Sequence, residues 1–204
     1  MGLSSRVKNK LHKIKGIGIQ RYIQIQIQRS LLSLLQVIYG FDQWHVDSPL
    51  LARPYRRIVA KMVNGLAPKS VIEVGCGLGS LLSLIDAPAR TGYDCDKGAI
   101  RAVRILNTRR ICFVHGSIEK IPANRVDVLI MVNWIHDVKP ELLHYWLSSL
   151  LPNIRFLMVD AIDQFNPLPY AYRHDFAFLQ DTCRLLKIER HQGEGRSFLL
   201  FEVL

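Results

Sequence analysis

VIEVGCGLGS, residues 71–80, sets a short apolar run, Val71 to Val74, directly against a loop with glycine at positions 75, 77 and 79. A run this rich in β-branched residues reads as a strand. Glycine accepts the backbone angles of a tight turn and lets a ligand approach bare main chain. A helix expected from about Ser80 would offer unpaired N–H groups at its first turn, so the unit reads as strand, loop and helix with a nucleotide-like ligand over the loop. A glycine turn that merely closes a βα unit has the same local pattern, and the surrounding residues must separate the two.

Working outward, strand-like runs recur at Ser70 to Val74, Arg90 to Tyr93, Ile111 to Val114, Val126 to Val132, Ile154 to Asp160, Leu185 to Arg190 and Ser197 to Val203. VDVLIMV and IRFLMVD are almost unbroken apolar stretches, as in strands buried on both faces of a parallel sheet. Helix-like segments at Gly79 to Ile85, Lys97 to Asn107 and Pro140 to Leu150 alternate with them, which predicts a doubly wound, mostly parallel, seven-stranded α/β sheet. The last two runs are joined by HQGEG, too short for a parallel crossover, so the chain is expected to end in an antiparallel hairpin.

Residues 48–204 form this domain, and residues 1–47 read as a basic N-terminal extension. Ser48 to Leu66 is predicted to be one helix, opened by Ser48 and Pro49, that covers the active-site edge of the sheet. In the extension, IQIQIQ (residues 23–28) has the period of a strand, yet Ile23, Ile27, Leu31, Leu34 and Ile38 fall on one helical stripe. The longer stripe favours a basic amphipathic helix with a flexible beginning.

Hydrophobic residues make up 49% of the chain and charged residues 22%, proportions that suit a core closed without metal or disulfides. Cys76, Cys95, Cys112 and Cys183 are scattered, without a CxxC pair or clustered histidines, so no metal site is expected and the thiols read as reduced, in a cytoplasmic protein. No stretch approaches the roughly 20 apolar residues that span a bilayer, and the start lacks a secretory signal's apolar core and cleavage site. The net charge is +10, but Arg6, Lys8, Lys10, Lys13, Lys15, Arg21 and Arg29 stand within the first 30 residues with no acid among them. The remainder carries 20 basic and 17 acidic groups, so the imbalance is a local arm, suited to phosphates of any origin, including the anionic inner face of a membrane.

Two acids bear on the ligand. Glu73 lies inside the first strand, where a buried carboxylate needs a partner such as a ligand ammonium. Asp94 ends the next strand in TGYD, where it can accept hydrogen bonds from two ribose hydroxyls. A nicotinamide dinucleotide would ask for glycine at position 80, and Ser80 stands there.

EVGCGLG, then GYD, then HGSIEKIP, then VDVLIMVNWIHDV resembles, in order and spacing, the class I S-adenosylmethionine-dependent methyltransferases over about residues 55–204. The resemblance implies that Glu73, Gly75, Cys76, Gly77 and Gly79 run beneath the methionine part of the cofactor and that Asp94, followed by Cys95, holds the ribose. It implies that Ser117, in place of the family's usual Asp, and Ile118 border adenine, and that Asn133 and Trp134 border the methionine end.

Methyl transfer from a sulfonium needs alignment more than covalent help, and an oxygen acceptor gains from a base. His136 is the first candidate, with Asp137, Asp160 and Asp163 beside it near strand ends; a histidine just past a strand also serves to pack the next turn. His45 and His174 can reach the cleft from covering segments, and Trp44 and Tyr55 can wall it. NWIH, residues 133–136, stands where amino methyltransferases acting on bases carry an NPPY-type tetrapeptide, which disfavours base N-methylation. Arg53, Tyr55, Arg56 and Arg57 are the one basic and aromatic cluster beyond the arm that hints at nucleic acid. FDQWHVDSPLLARPYRR is similar to the N-terminal region of bacterial methyltransferases of surface-polysaccharide or natural-product pathways. The first reading is therefore an oxygen methyltransferase for a small-molecule, saccharide or lipid-linked acceptor, with residues 1–30 on an anionic membrane. An RNA or protein methyltransferase using the arm as a clamp, and a non-catalytic partner subunit, stand beside it; oligomeric state is not legible.

Overall fold

The computed structural model describes residues 18–106, 110–191 and 194–204. Helix α1 (Ile19–Tyr39) and the short α2 (Gln43–Asp47) precede α3 (Tyr55–Asn64); β1 (Ser70–Val74) opens the sheet and is followed by β2 (Ala89–Asp94), α4 (Lys97–Leu106), β3 (Cys112–His115) and β4 (Val126–Met131). Helix α5 (Pro140–Leu150), β5 (Ile154–Ile162), β6 (Cys183–His191) and β7 (Arg196–Val203) complete the chain. The strands lie in the order β3-β2-β1-β4-β5-β7-β6, parallel from β3 to β5, with β7 antiparallel to both its neighbours. The predicted doubly wound, seven-stranded sheet and its terminal hairpin are thus present, with strand ends within about two residues of the sequence reading.

Alternation along the buried strands builds two cores. Val128 and Ile130 of β4 face one side with Val71, Phe156 and Met158, under α3 and α4; Leu129 and Met131 face the other with Ile72, Leu157 and Val159, under Leu143 and Leu147 of α5. At the entry to the sheet the Asp127 carboxylate accepts hydrogen bonds from the N–H groups of Lys69 and Ser70, and the Asp127 N–H donates to Ser70 Oγ, which locks β1 against β4. A small third cluster, with Phe41, Val46, Ala99, Ala102, Leu32 and Leu35, fastens α1 to α4.

Three segments depart from the sequence reading. The helix expected from Gly79 to Ile85 is a set of turns with a single 3-10 turn at Leu82–Leu84. Only nine residues separate Gly79 from β2, and Pro88 bars its predecessor from helical backbone, so no two-turn helix fits. Ser48 to Leu66 is broken into a 3-10 turn, Leu50–Ala52, and α3, because Pro54 has no N–H to continue a helix and starts a new one instead. The IQIQIQ stretch is helical throughout, inside α1; the arm's first 17 residues, and the flexible beginning expected there, lie outside the described residues.

Candidate functional site

The carboxyl ends of β1, β2 and β4 converge on a cavity of about 1240 Å³, above the 300–1,000 Å³ of ordinary small-ligand pockets and roomy enough for two ligands side by side. Glu73, Gly75, Cys76, Gly77, Asp94, Cys95, Ser117, Ile118, Asn133 and Trp134 all line it; Gly79 lies just behind.

The glycine loop is held by its neighbours. Gly75 has φ 73°, and a β-carbon there would collide with the Trp134 indole, whose Nε1 donates to Val74 O at 2.7 Å. Gly77 has φ 51°, and a β-carbon there would stand 2.8 Å from Nδ1 and Cε1 of His45. Any other residue at these two positions would be strained and would push an aromatic ring off the loop. With no helix following, donors come from the loop itself, and one of them, the Gly77 N–H, is already given to Asp94 Oδ2 at 2.7 Å. Asp94 Oδ1 accepts the Asp96 N–H at 2.8 Å, so this carboxylate ties two loops together while each oxygen keeps a lone pair.

Glu73 is buried, and its Oε2 has no hydrogen-bond partner. Burial lifts its pKa from 4.5 to about 8; the Arg56 charge and the Leu82 N–H pull it down, and Asp94 pushes it further up. Cys76 is buried beside it, and burial, then the charges of Glu73 and Asp94, raise its thiol far out of the reactive range. Cys95 is exposed at the cavity edge, and its thiol is also raised, by burial and by Asp94 and Glu119. Ser117 Oγ donates to Glu119 Oε2 at 3.0 Å, which leaves its lone pairs facing outward as acceptors. Ile118 is buried in the 3-10 turn that follows.

His136 does not reach the cavity. It is 0% exposed, in a 3-10 turn (Trp134–Asp137) that rotates it behind the sheet end, with Nε2 3.2 Å from Asp160 Oδ2 but outside hydrogen-bond alignment. Asp160 and His174 are buried with it, Asp137 and Asp163 are exposed, and none of the four lines the cavity. The expectation of a base at His136 is corrected on this geometry: a side chain sealed from the cavity has no path to an acceptor proton.

Asp160 belongs instead to a polar network with Arg196, Asn133 and Tyr170. Arg196 Nη1 donates to Asp160 Oδ2 at 2.6 Å and to Asn133 Oδ1 at 3.1 Å; Tyr170 OH donates to Asn133 Oδ1 at 2.8 Å and accepts from Arg196 Nη2 at 3.0 Å. Asp160 Oδ1 accepts the Asn133 N–H at 2.8 Å. Burial works against the Arg196 charge, but Asp160 and Tyr170 outweigh it and hold the guanidinium above its ordinary value. Burial likewise raises the Tyr170 hydroxyl against the pull of Arg196, and lowers His174, whose Nε2 meets Ile135 O at 2.9 Å. The network fixes Asn133 at φ 83° and consumes its carbonyl oxygen, so the amide Nδ2 is the atom left for the cavity.

The covering segments bring the titratable group that His136 does not. His45, in α2, lines the cavity with Nε2 3.2 Å from Asp96 Oδ2. Burial alone would raise Asp96, yet the N–H groups of Asp42 and Ala99, the His45 charge and the Gly98 N–H bring it below its ordinary value. An ionised Asp96 fixes the proton on His45 Nε2 and leaves Nδ1, beside Gly77, as the lone-pair atom. Asp96 was absent from the sequence reading; the only signal for it is the second acid of YDCD, two residues after Asp94. Trp44, Tyr55 and Arg56 line the cavity as well, whereas Arg53 stacks on Trp44 at 4.6 Å and donates to Ser48 Oγ. Among the described residues no cluster of three metal-ligating side chains occurs, and no helix is long and apolar enough to cross a membrane.

Comparison with known proteins follows the same outline. The family model of a methyltransferase domain matches residues 72–150. No curated protein sequence matches the chain. Among solved structures, the N-methyltransferase NodS from Bradyrhizobium japonicum WM9, in complex with S-adenosyl-L-homocysteine, superposes with a TM-score of 0.65 at 12% identity, over 84% of this chain and 97% of that one. Magnesium protoporphyrin IX methyltransferase, ChlM, from Synechocystis PCC 6803 with bound S-adenosylmethionine gives 0.61 at 16% identity, over 90% and 97%. TehB from Haemophilus influenzae gives 0.59 at 15% identity over 72% of this chain; the match spans 62% of TehB, less than two thirds of its length.

Proposed function

We propose that this chain is a class I S-adenosylmethionine-dependent methyltransferase, a reading supported by the methyltransferase-domain match and the fold, and that it transfers the methyl group to an oxygen of a small-molecule, saccharide or lipid-linked acceptor. The observation that carries the choice of oxygen is the His45–Asp96 pair inside the cavity. A hydroxyl must lose its proton as it attacks, whereas an amine attacks as the free base, so a carboxylate-backed imidazole within the cavity serves an oxygen acceptor best.

The residues fit the cofactor. Glu73 Oε2, buried and unpartnered, suits a ligand ammonium, which would bring the carboxylate back toward its ordinary pKa. Asp94 keeps one lone pair on each oxygen for two ribose hydroxyls. Ser117 and Ile118 would border adenine, and Cys76, Cys95 and the three loop glycines would give it close backbone approach. Asn133 Nδ2 and Trp134 would border the methionine end. When bound, S-adenosylmethionine supplies an electrophilic methyl group on a sulfonium, and the protein's part is alignment and proton handling. In that division His45 Nδ1 takes the acceptor proton and Asp96 stabilises the imidazolium that results.

RNA is a weaker reading, because the acids lining the cavity, Asp42, Glu73, Asp94 and Asp96, outnumber the bases, Arg56 and Lys97. The test measures label transfer from methyl-labelled cofactor to three pools: phenols and saccharides, RNA, and mixed polypeptide. Label should enter the hydroxyl pool, and His45→Gln should lower kcat about 100-fold or more with cofactor affinity kept. Label confined to RNA or polypeptide, or a His45→Gln variant with full turnover, would overturn the reading.

A further inference from the structure

α1 carries apolar residues on both faces: Ile25, Leu32 and Leu35 turn inward, and a second aliphatic set turns outward. Ile19, Ile23, Ile27, Leu31, Leu34 and Ile38 point to solvent, and with Val37 their exposure runs from 50% at Ile23 to 86% at Val37. At 3.6 residues per turn they fall within one arc of about 120°. Scattered exposed leucines are ordinary, but a continuous aliphatic arc the length of a helix is an interaction surface.

The helix cannot simply roll to hide that arc, because the opposite face is pinned by polar bonds to the segment after it. Arg21 Nη2 donates to Leu51 O at 3.3 Å, Arg29 Nη2 to Asp47 O at 3.1 Å and Gln36 Nε2 to Phe41 O at 3.0 Å. Leu32 and Leu35 pack beside them against Ala99 and Ala102.

The charge of the segment in sequence selects the occupant; Arg21 and Arg29 lie on the face opposite the arc, and the other five cations precede the helix in the chain. The chain has no Asp or Glu before Asp42, while seven Lys and Arg fall in its first 30 residues. An aliphatic arc in an acid-free, cation-rich segment matches a surface that is hydrocarbon below and anionic above. We infer that α1 lies in the plane of an anionic phospholipid bilayer, its arc sunk to the acyl boundary. Leu31 and Leu34 belong to the arc and also line the cavity, together with the exposed Trp44 and Leu106. The cavity rim therefore continues the membrane face. On the methyl-transfer reading, an amphiphilic acceptor stays in the bilayer while its polar end enters the cavity.

The test is flotation of the full chain with vesicles of phosphatidylcholine alone or of phosphatidylcholine and phosphatidylglycerol in equal parts, at low and high salt. The chain should float with the anionic vesicles and lose about tenfold or more of that partitioning in Ile23→Glu/Ile27→Glu, and again in Ile38→Glu at the other end of the arc. Neither change touches a cavity-lining residue, so calorimetric cofactor titration should match the unaltered chain and certifies the fold. A chain that floats with neither vesicle overturns the inference. So does a dimer by light scattering that the double change disperses while flotation is unaffected, since a second copy would then own the arc. A failed cofactor titration with intact flotation would count against methyl transfer and leave the docking standing.

Discussion

Two groups of polar side chains meet at the carboxyl end of the sheet, and they are solved in opposite ways. Behind Asn133, the buried Asp160 and the half-buried Tyr170 are both bonded to the buried Arg196, whose guanidinium lies 5.2 Å from the Tyr55 ring. On the cavity side, Glu73 is also buried but keeps an oxygen without a partner, and His45 meets Asp96 through Nε2. The network balances its charges internally at the cost of desolvation, whereas the Glu73 carboxyl lines the cavity with an oxygen that a ligand can complete. The difference separates what shapes the site from what receives the ligand.

The largest expected effect comes from breaking the scaffold. Arg196→Met leaves the Asp160 carboxylate buried and unpaired, and should cost about 3–5 kcal/mol of stability in urea denaturation. Arg196→Met/Asp160→Leu should recover much of that loss, which tests whether the pair stabilises or only compensates itself. Equal loss in the single and double variants would mean that packing, not charge, is what the network provides.

Glu73→Gln should act in the opposite direction. Folding raises this carboxyl from 4.5 to about 8, so between those values the folded chain holds a proton that the unfolded chain has released. Stability therefore falls as pH climbs through that window, and the deficit is complete above it. Without cofactor, Glu73→Gln should match the unaltered chain near pH 4.5 and exceed it by roughly 3–5 kcal/mol above pH 8, at about 1.4 kcal/mol per unit. Urea titrations across pH measure this, and calorimetry should find cofactor bound more weakly by the same variant. A uniform offset at all pH values would remove Glu73 from the ligand side of the comparison.

The smallest effect is expected at Asp94, which belongs partly to both sides. It braces the Gly77 and Asp96 N–H groups and still offers lone pairs outward. Asp94→Asn keeps one bracing oxygen and should weaken cofactor binding by about 1–3 kcal/mol in calorimetric titration. Unchanged affinity would make it a brace alone.

What could be read from the sequence follows the range of the interactions. The buried strands announced themselves because Val126–Met131 and Ile154–Ile162 are almost wholly apolar, and the hairpin because five residues cannot cross a sheet. The glycine loop and Asp94 were legible because a strand end fixes where its next residues point. His45 and Asp96 lie 51 positions apart and meet only because α1 and α2 fold back over α4, so no local period encodes their contact. His136 was misplaced because a 3-10 turn carries three residues per turn, and a few tens of degrees of rotation separate cavity from core. An acid at the end of IRFLMVD did ask for a buried cation, but Arg196 is 36 residues further on. The outward arc of α1 was visible as a stripe; which way it faces is set by the hydrogen bonds of the other side.

Trp134 rests against Gly75, and Trp44 and Trp146 line the same cavity. These three are all the tryptophans the chain has. Its tryptophan emission thus originates entirely from the cavity wall, so cofactor, acceptor and bilayer can each be followed arriving by light alone, without a dye or a label attached to the protein.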